Sequence, residues 1–268
     1  MFTPWLDRWS LTPDGVHVHT HSSDLLPVLR AGQKAMLKVA RSFEEEQGHQ
    51  LMVWWDARGA ARVLKHEGAA LLLERLEDSP TLTGLVEAGQ DDQATRILCK
   101  VAAHLHAPRP LPWPELTTLG RWFRALEAAA PGGGLLARSW DTAQGLLGEP
   151  QEVCPLHGDI HHGNVLFSSQ RGWLAIDPKG LVGERTFDFA NVLCNPTLDL
   201  ARHPGRLARQ ATLLAEEACL DRTRLLRWTA AYAGLSAAWH LEDGQAQQAQ
   251  DVLGLAGLAL PDLGEEIS

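Results

Sequence analysis

Residues 156–166 read Leu156-His157-Gly158-Asp159-Ile160-His161-His162-Gly163-Asn164-Val165-Leu166, and a short apolar run further on ends in an acid, Trp173-Leu174-Ala175-Ile176-Asp177-Pro178. Phosphoryl transfer asks for little covalent chemistry from a protein. It needs a carboxylate to orient and deprotonate the attacking hydroxyl, and oxygen ligands to hold Mg²⁺ against a triphosphate. An Asn serves at the metal because it adds an oxygen ligand without adding negative charge near the phosphates. The pattern His-x-Asp-x-x-x-x-Asn followed by a strand-end Asp supplies these parts in order: Asp159 as base, Asn164 and Asp177 as metal ligands.

Such a site needs a cation for the phosphates, and Lys38 stands upstream in the apolar strand Ala35-Met36-Leu37-Lys38-Val39-Ala40. A Lys on the solvent face of a strand is common, but an ammonium inside an apolar strand is costly unless paired. The helix predicted from Ser42 offers Glu44, Glu45 and Glu46 as partners; all three also suit a helix N-terminus. Glu45 lies three residues after the N-cap candidate Ser42, a capping-box spacing. Neither G-x-G-x-x-G nor G-x-x-x-x-G-K-[ST] occurs, so phosphate contacts fall to a serine turn and to Lys38. Gly158 precedes the base where phosphorylation-switched protein kinases carry Arg, which predicts a permanently assembled small-molecule kinase.

Working outward, residues 14–40 hold the strand-like stretches 15–19 and 35–40, a helix is predicted from Ser42 to Trp55, and strands at 61–64 and 69–74. After Asp78-Ser79-Pro80 the period becomes helical: Asp91 to His106, Pro114 to Ala130, Gly134 to Gly148, and again from Arg206 to Leu260. The expected organisation is a small β-rich lobe (1–78, connector about 74–78) and a larger helical lobe (79–268) carrying the 156–164 loop and the 173–180 segment.

The chain resembles the aminoglycoside phosphotransferases, and within them the streptomycin 6-phosphotransferase/hydroxyurea phosphotransferase group. The signature is HGDIHHGNVLFSSQRGWLAIDPKGLVGERTFDFANVLCNP (157–196), with a weaker match along THSSDLLPVL, AMLKVA, LMVWWDARGAARVL and LLLERLED. The resemblance implies an α+β, protein-kinase-like two-lobe fold that uses ATP and Mg²⁺. It implies Asp159 as base, Asn164 and Asp177 at the metal, and Lys38 with Glu45 at the phosphates. Thr20-His21-Ser22-Ser23 would be the phosphate-covering turn, and the backbone at Glu74–Leu76 the adenine hinge. His157 and Asp188 would brace the loop. The acceptor implied is a small cationic aminocyclitol, most of all a streptomycin-like one; hydroxyurea, an amino sugar, a choline-like alcohol or a ketosamine are the alternatives. Carboxylates that would meet such a cation are Glu184, Glu242 and Asp243, with Glu216 and Glu217 as further candidates. Two positions depart from the family: Gly163 stands where an acid is common, and Lys179 adds a cation beside Asp177.

A rival reading rests on His17-Val18-His19-Thr20-His21-Ser22-Ser23-Asp24, which is similar to the opening metal motif of PHP phosphoesterases. Strand alternation would put its three His on one face, yet the helical middle of the chain leaves no barrel to complete such a site. A non-catalytic kinase-like module would have lost the Lys, the base or a metal ligand, and all are present. His104 and His106 fall at a helix C-terminus, where an imidazolium suits the dipole. His161 and His162 read as loop packing, and Trp239 as core.

Composition narrows the partners. The 268 residues are 45% hydrophobic and 21% charged, with 24 Lys+Arg against 33 Asp+Glu for a net charge of −9, which argues against nucleic acid and favours a cationic ligand. Four scattered Cys suggest neither a metal cluster nor a disulfide framework, and no apolar run suits a leader or a membrane span, so a cytoplasmic protein without an obligate protein partner is expected.

Overall fold

The computed structural model describes residues 1–20, 22–203 and 205–260. A first helix, α1 (Thr3–Trp9), leads into β1 (Leu11–Pro13), β2 (Val18–His19), β3 (Ser23–Arg30) and β4 (Gln33–Ala40). Helix α2 (Phe43–Trp55) follows, then β5 (Val63–Glu67) and β6 (Ala70–Glu74). These strands form a sheet in the order β1-β3-β4-β6-β5, with β2 pairing β3. α1 covers one face, where Trp9 and Leu11 pack on Leu26, Val28, Ala35 and Leu37.

β7 (Glu77–Thr81), α3 (Leu82–Glu87) and α4 (Asp91–His106) come next, then β8 (Thr117–Thr118), α5 (Leu119–Trp122), α6 (Arg124–Ala129) and α7 (Gly134–Gly148). The chain continues through β9 (Val153–Leu156), β10 (Val165–Ser168), β11 (Gly172–Ala175) and β12 (Leu181–Glu184). It ends in α8 (Thr186–Leu193), α9 (Leu198–Ala201), α10 (Arg206–Ala218), α11 (Arg222–Glu242) and α12 (Ala246–Ala259). β10 and β11 form a hairpin joined by β7; β12 lies between β8 and β9, pairing with both. This scaffold presents the loop 157–164 and the segment 176–180 side by side. α11, buried along much of its length, fixes the helical part: Trp228, Tyr232 and Leu235 fill a core with Phe123 and Phe187.

Several elements depart from the sequence expectations for stated reasons. β3 carries Pro27, a residue that argues against a strand interior. β1 pairs only with Val28–Arg30 and β2 only with Asp24–Leu25, so Pro27 sits where no outer ladder requires its N–H. Residues 77–81, expected to lead straight to helix, form β7 because β10 accepts them antiparallel. The helix expected over 114–130 is broken: Thr117 and Thr118 pair parallel with β12, and the Thr118 hydroxyl then caps α5. α4, α7 and the start of α2 fall where the sequence put them. Ser42 caps α2 by accepting from Glu45 N, but the Glu45 carboxylate turns to other partners, so the capping box is only half made.

Candidate active site

Lys38 and Glu45 are both buried, and Lys38 Nζ lies 2.5 Å from Glu45 Oε2. Glu44 is exposed and Glu46 half-buried, which resolves the choice left open by the acid run. Lys38 also contacts Asp177 Oδ1, joining the sheet to the segment after β11. A second ammonium shares these acids: Lys179 Nζ lies 3.2 Å from Glu45 Oε1, 3.5 Å from Asp177 Oδ2 and 3.9 Å from Asp159 Oδ2. Burial opposes charge on Glu45, Asp177 and Lys179. The two ammoniums nonetheless hold the Asp177 carboxyl well below the usual carboxylate range, and Asp177, Glu45 and Asp159 raise Lys179 above the ordinary lysine value. Lys179, noted in the sequence only as a departure, thus belongs to the cluster.

Glycines permit this closeness. Gly180 has φ +64°, a left-handed conformation, and lies against the backbone of Gln47 and Gly48 on α2; a Cβ added at Gly48 would overlap the Pro178 carbonyl oxygen. α2 and the 177–180 segment are therefore in backbone contact, which sets Glu45 beside Lys179.

Asp159 keeps its carboxylate partly open to solvent and is held from two sides. Asn191 Nδ2 donates to Oδ1 at 2.8 Å, and Asn164 Nδ2 donates to Oδ2 at 3.2 Å and to the Asp159 carbonyl at 2.9 Å. Asn195 Nδ2 in turn donates to Asn191 Oδ1 at 2.8 Å. Asp188, fully buried, accepts from the backbone N–H of His157 and Gly158 at 2.9 and 2.7 Å and from His106 Nε2 at 2.8 Å. Burial raises its pKa, and the His106 bond more than offsets this, keeping it an acceptor below the usual range. His157 is buried, bonds the Ile176 carbonyl through Nε2 and receives Asp159 N–H at Nδ1, so it is a neutral strut whose pKa burial lowers.

A cavity of about 220 Å³ opens at Asp159, lined by His161, Asn191, Asn195, Tyr232 and Ser236 with Cys194 and apolar side chains. Burial pushes the Cys194 thiol up to about 12, so it supplies no thiolate there. His162 is buried and its imidazole pushed down to about 4 by burial, in keeping with packing.

Other expected residues lie elsewhere. Glu184 is buried and ion-paired to Arg224 at 2.6 Å, also accepting from Gln151 N–H; its charge is spent inside the fold, which corrects its placement as a substrate carboxylate. Glu242 and Asp243 sit exposed at the end of α11 and are not among the residues lining this cavity. Glu217 pairs with Arg96. Ser22 Oγ donates to Glu45 Oε1 at 2.8 Å, and Ser23 is buried with its hydroxyl on Thr20, so in this state both hydroxyls face protein; His21 lies outside the described residues. The Glu74 carboxylate accepts from Arg62 N and pairs with Arg171, while Leu76 packs beside the core. Asn191, Asn195 and His106 were missed by the sequence reading. Asn191 lies on the buried side of α8, Asn195 just beyond its end and His106 at the end of α4.

The family model for aminoglycoside/hydroxyurea antibiotic resistance kinases matches residues 8–244. The chain belongs to this family. It is accordingly a phosphotransferase. A streptomycin 3''-kinase of Klebsiella pneumoniae is 50% identical over 244 residues, 89% of this chain and 92% of the relative. A streptomycin 6-kinase of Streptomyces glaucescens is 36% identical (90% and 82%), and a hydroxyurea phosphotransferase of Kitasatospora aureofaciens 35% (90% and 72%). Among solved structures, the aminoglycoside phosphotransferase APH(4)-Ia in complex with ADP and hygromycin B superposes with a TM-score of 0.68 at 15% identity, covering 98% of both chains. A choline/ethanolamine kinase family protein of Mesorhizobium loti gives 0.61 at 11% identity, covering 96% of this chain and 95% of that one. The fold is protein-kinase-like.

Proposed function

We infer that the protein transfers the terminal phosphoryl group of ATP, with Mg²⁺, to a hydroxyl of streptomycin or a close aminocyclitol relative. The observation that carries this reading is the Asp159 carboxylate, oriented by two amides at the mouth of a cavity and within one side chain's length of the Lys38–Glu45–Asp177–Lys179 cluster. Asp159 accepts the acceptor's hydroxyl proton as the oxygen attacks phosphorus. The new O–P bond forms as the bond to the bridging oxygen breaks, and ADP leaves. Lys38 and Lys179 turn their ammoniums to the phosphate oxygens, and residues 74–78 serve as the connector between a nucleotide-covering lobe (1–78) and the helical lobe (79–268).

The donors suit Mg²⁺. Asn164 commits its amide nitrogen to Asp159 and keeps its oxygen for a ligand, and Asp177 stays ionised; two hard oxygens, completed by phosphates and water, are the usual protein share of a Mg²⁺ site. Held by Asn164 and Asp177, the ion would supply positive charge to neutralise that of the phosphates.

A cavity of about 220 Å³ is below the ~300–1,000 Å³ of whole-ligand pockets, so it takes one ring of a larger acceptor. The 50% identity to a streptomycin 3''-kinase, against 36% to a 6-kinase, supports the 3''-hydroxyl over the 6-hydroxyl. The test is incubation with ATP, Mg²⁺ and, separately, streptomycin, hydroxyurea, hygromycin B and choline. ADP release is followed, and phosphorus–proton correlation spectra locate the new ester. A single ester at O3'' of streptomycin is expected; turnover of choline or hydroxyurea with none of any aminocyclitol would overturn the reading.

A further inference from the structure

β2 and β3 bring together three groups that the kinase chemistry does not use. In the register of this pair His19 stands opposite Asp24, and His17, two residues before His19, reaches the same carboxylate. His19 Nδ1 lies 2.7 Å and His17 Nε2 3.3 Å from one atom, Asp24 Oδ1. Asp24 is fully buried, whereas the two imidazoles are about half exposed. Its second oxygen, Oδ2, is buried with no hydrogen-bond partner among the described residues. A buried carboxylate is stable only when its charge is paired or holds a metal ion.

We propose that His17, His19 and Asp24 form a binding site for a divalent transition-metal ion of the Zn²⁺ class. The donor set decides the class. Two imidazole nitrogens and one carboxylate oxygen suit Zn²⁺, Co²⁺, Ni²⁺ or Cu²⁺, whereas Mg²⁺ and Ca²⁺ take oxygen shells. Ligand atoms at ~2.0–2.1 Å from a tetrahedral ion stand about 3.3 Å apart. His17 already has that spacing from Asp24, exposed His19 would draw back from it by about 0.6 Å, and the three ligand atoms all lie within 4.8 Å of one another. Three protein ligands leave a fourth position for water.

The site is separate from the cleft. In the β3–β4 ladder Leu25 opposes Lys38 and Asp24 opposes Val39. Successive residues point to opposite faces, so Asp24 is on the face away from Lys38; Phe2, ahead of α1, packs its ring edge-on to His17 there. The ion would staple β2 to the start of β3. One group opposes binding: Arg41 Nη1 lies 2.5 Å from His19 Nε2 and must swing aside, as an exposed side chain can.

The test uses full-length protein stripped with chelator, titrated with Zn²⁺ by calorimetry in excess Mg²⁺, and with Co²⁺ followed by its visible absorption. One equivalent per chain is expected, with a Co²⁺ spectrum of low-coordinate nitrogen and oxygen ligation. His17→Ala and His19→Ala, at exposed positions that do not threaten folding, should each weaken binding at least tenfold. Arg41→Gln should tighten it. Absence of stoichiometric binding, or binding undiminished in the double His variant, would overturn the proposal. The readout is the metal itself, so it is distinguishable from any failure of the phosphotransfer reading.

Discussion

Gly180→Ala tests the contact between α2 and the segment bearing Asp177 and Lys179. Two costs are separable. Gly180 sits at φ +64°, and a left-handed residue with a Cβ costs roughly 1–2 kcal/mol. In addition, the new Cβ would stand 2.7 Å from the Gln47 carbonyl carbon and 2.9 Å from both Gln47 Cβ and Gly48 N. Ordinary contact begins near 3.4 Å, so α2 and the segment must part by about 0.7 Å against backbone atoms. Overpacking of this kind costs about 1–3 kcal/mol, for a total near 2–5 kcal/mol. Gly32→Ala is the matched control: φ is +79°, but nothing lies within 4 Å of its Cβ, so it carries the conformational cost alone. Urea unfolding of both variants gives the clash term by difference. Parting α2 from Lys179 also disturbs Glu45, and misplacement by about 1 Å can cost on the order of 10²-fold in rate. Gly180→Ala should therefore lose kcat where Gly32→Ala does not. Equal stability in the two variants together with a wild-type kcat for Gly180→Ala would refute the idea that backbone contact sets this cluster.

Asp159→Ala should lower kcat by roughly 10²–10⁴-fold, as for loss of a general base, while calorimetry still detects nucleotide binding. Asn191→Ala removes the amide that orients Asp159 Oδ1 and should lower kcat about ten- to a hundredfold with the KM for ATP unmoved; a change confined to KM would contradict a positioning role. Asp91→Ala leaves Arg206 buried without its bidentate partner and should cost about 3–5 kcal/mol by urea unfolding. His49, buried on α2, has its imidazole pushed down to about 3 by burial. Its folded pKa lies below its unfolded one, so its contribution is intact above about pH 6.5 and fades as pH falls toward 3, by about 2 kcal/mol at pH 5. His49→Met should flatten the fall in melting temperature between pH 6.5 and 5; an unchanged slope would assign it to other groups.

The residues that the structure gathers at the cleft were legible because each belongs to a local pattern: Asp159 and Asn164 five apart on one loop, Asp177 at a strand end, Lys38 in an apolar strand. Glu45 was legible only as one of three, since the helix face that decides among Glu44, Glu45 and Glu46 depends on where α2 docks. The supports were not legible. His106 reaches Asp188 across 82 residues, and its place at a helix end suggested the dipole instead. Asn191 on α8 and Asn195 just after it carry no local pattern, and their roles follow only from the packing of α8 against the loop. Strand β3 was hidden by Pro27, whose tolerance is a matter of which neighbouring strands stop short. Glu184 misled in the opposite direction: an acid near the metal segment, neutralised by an Arg that arrives from α11 forty residues later.

The cleft and the cavity divide the work of charge between them. Around the nucleotide position, three carboxylates (Glu45, Asp159 and Asp177) face two ammoniums, Lys38 and Lys179, and the pairs hold one another in place before any ligand arrives. On the proposed reading, an incoming triphosphate would draw the ammoniums from these acids and free the Asp177 carboxylate to serve as an oxygen ligand. The acceptor cavity is built differently. Asp159 is its one acid; the other polar lining is the amides of Asn191 and Asn195, the hydroxyls of Tyr232 and Ser236, and His161. Such walls read hydroxyl groups by hydrogen bonds rather than holding a polycation by charge. The net −9 of the chain would then act at long range, favouring approach of a cation, while on the proposed reading the choice of hydroxyl falls to Asn191, which holds Asp159, and to Asn195, which holds Asn191. Substitution of Asn195 should accordingly change which hydroxyl is phosphorylated more than it changes the affinity for a cationic acceptor, and product analysis against streptomycin separates the two.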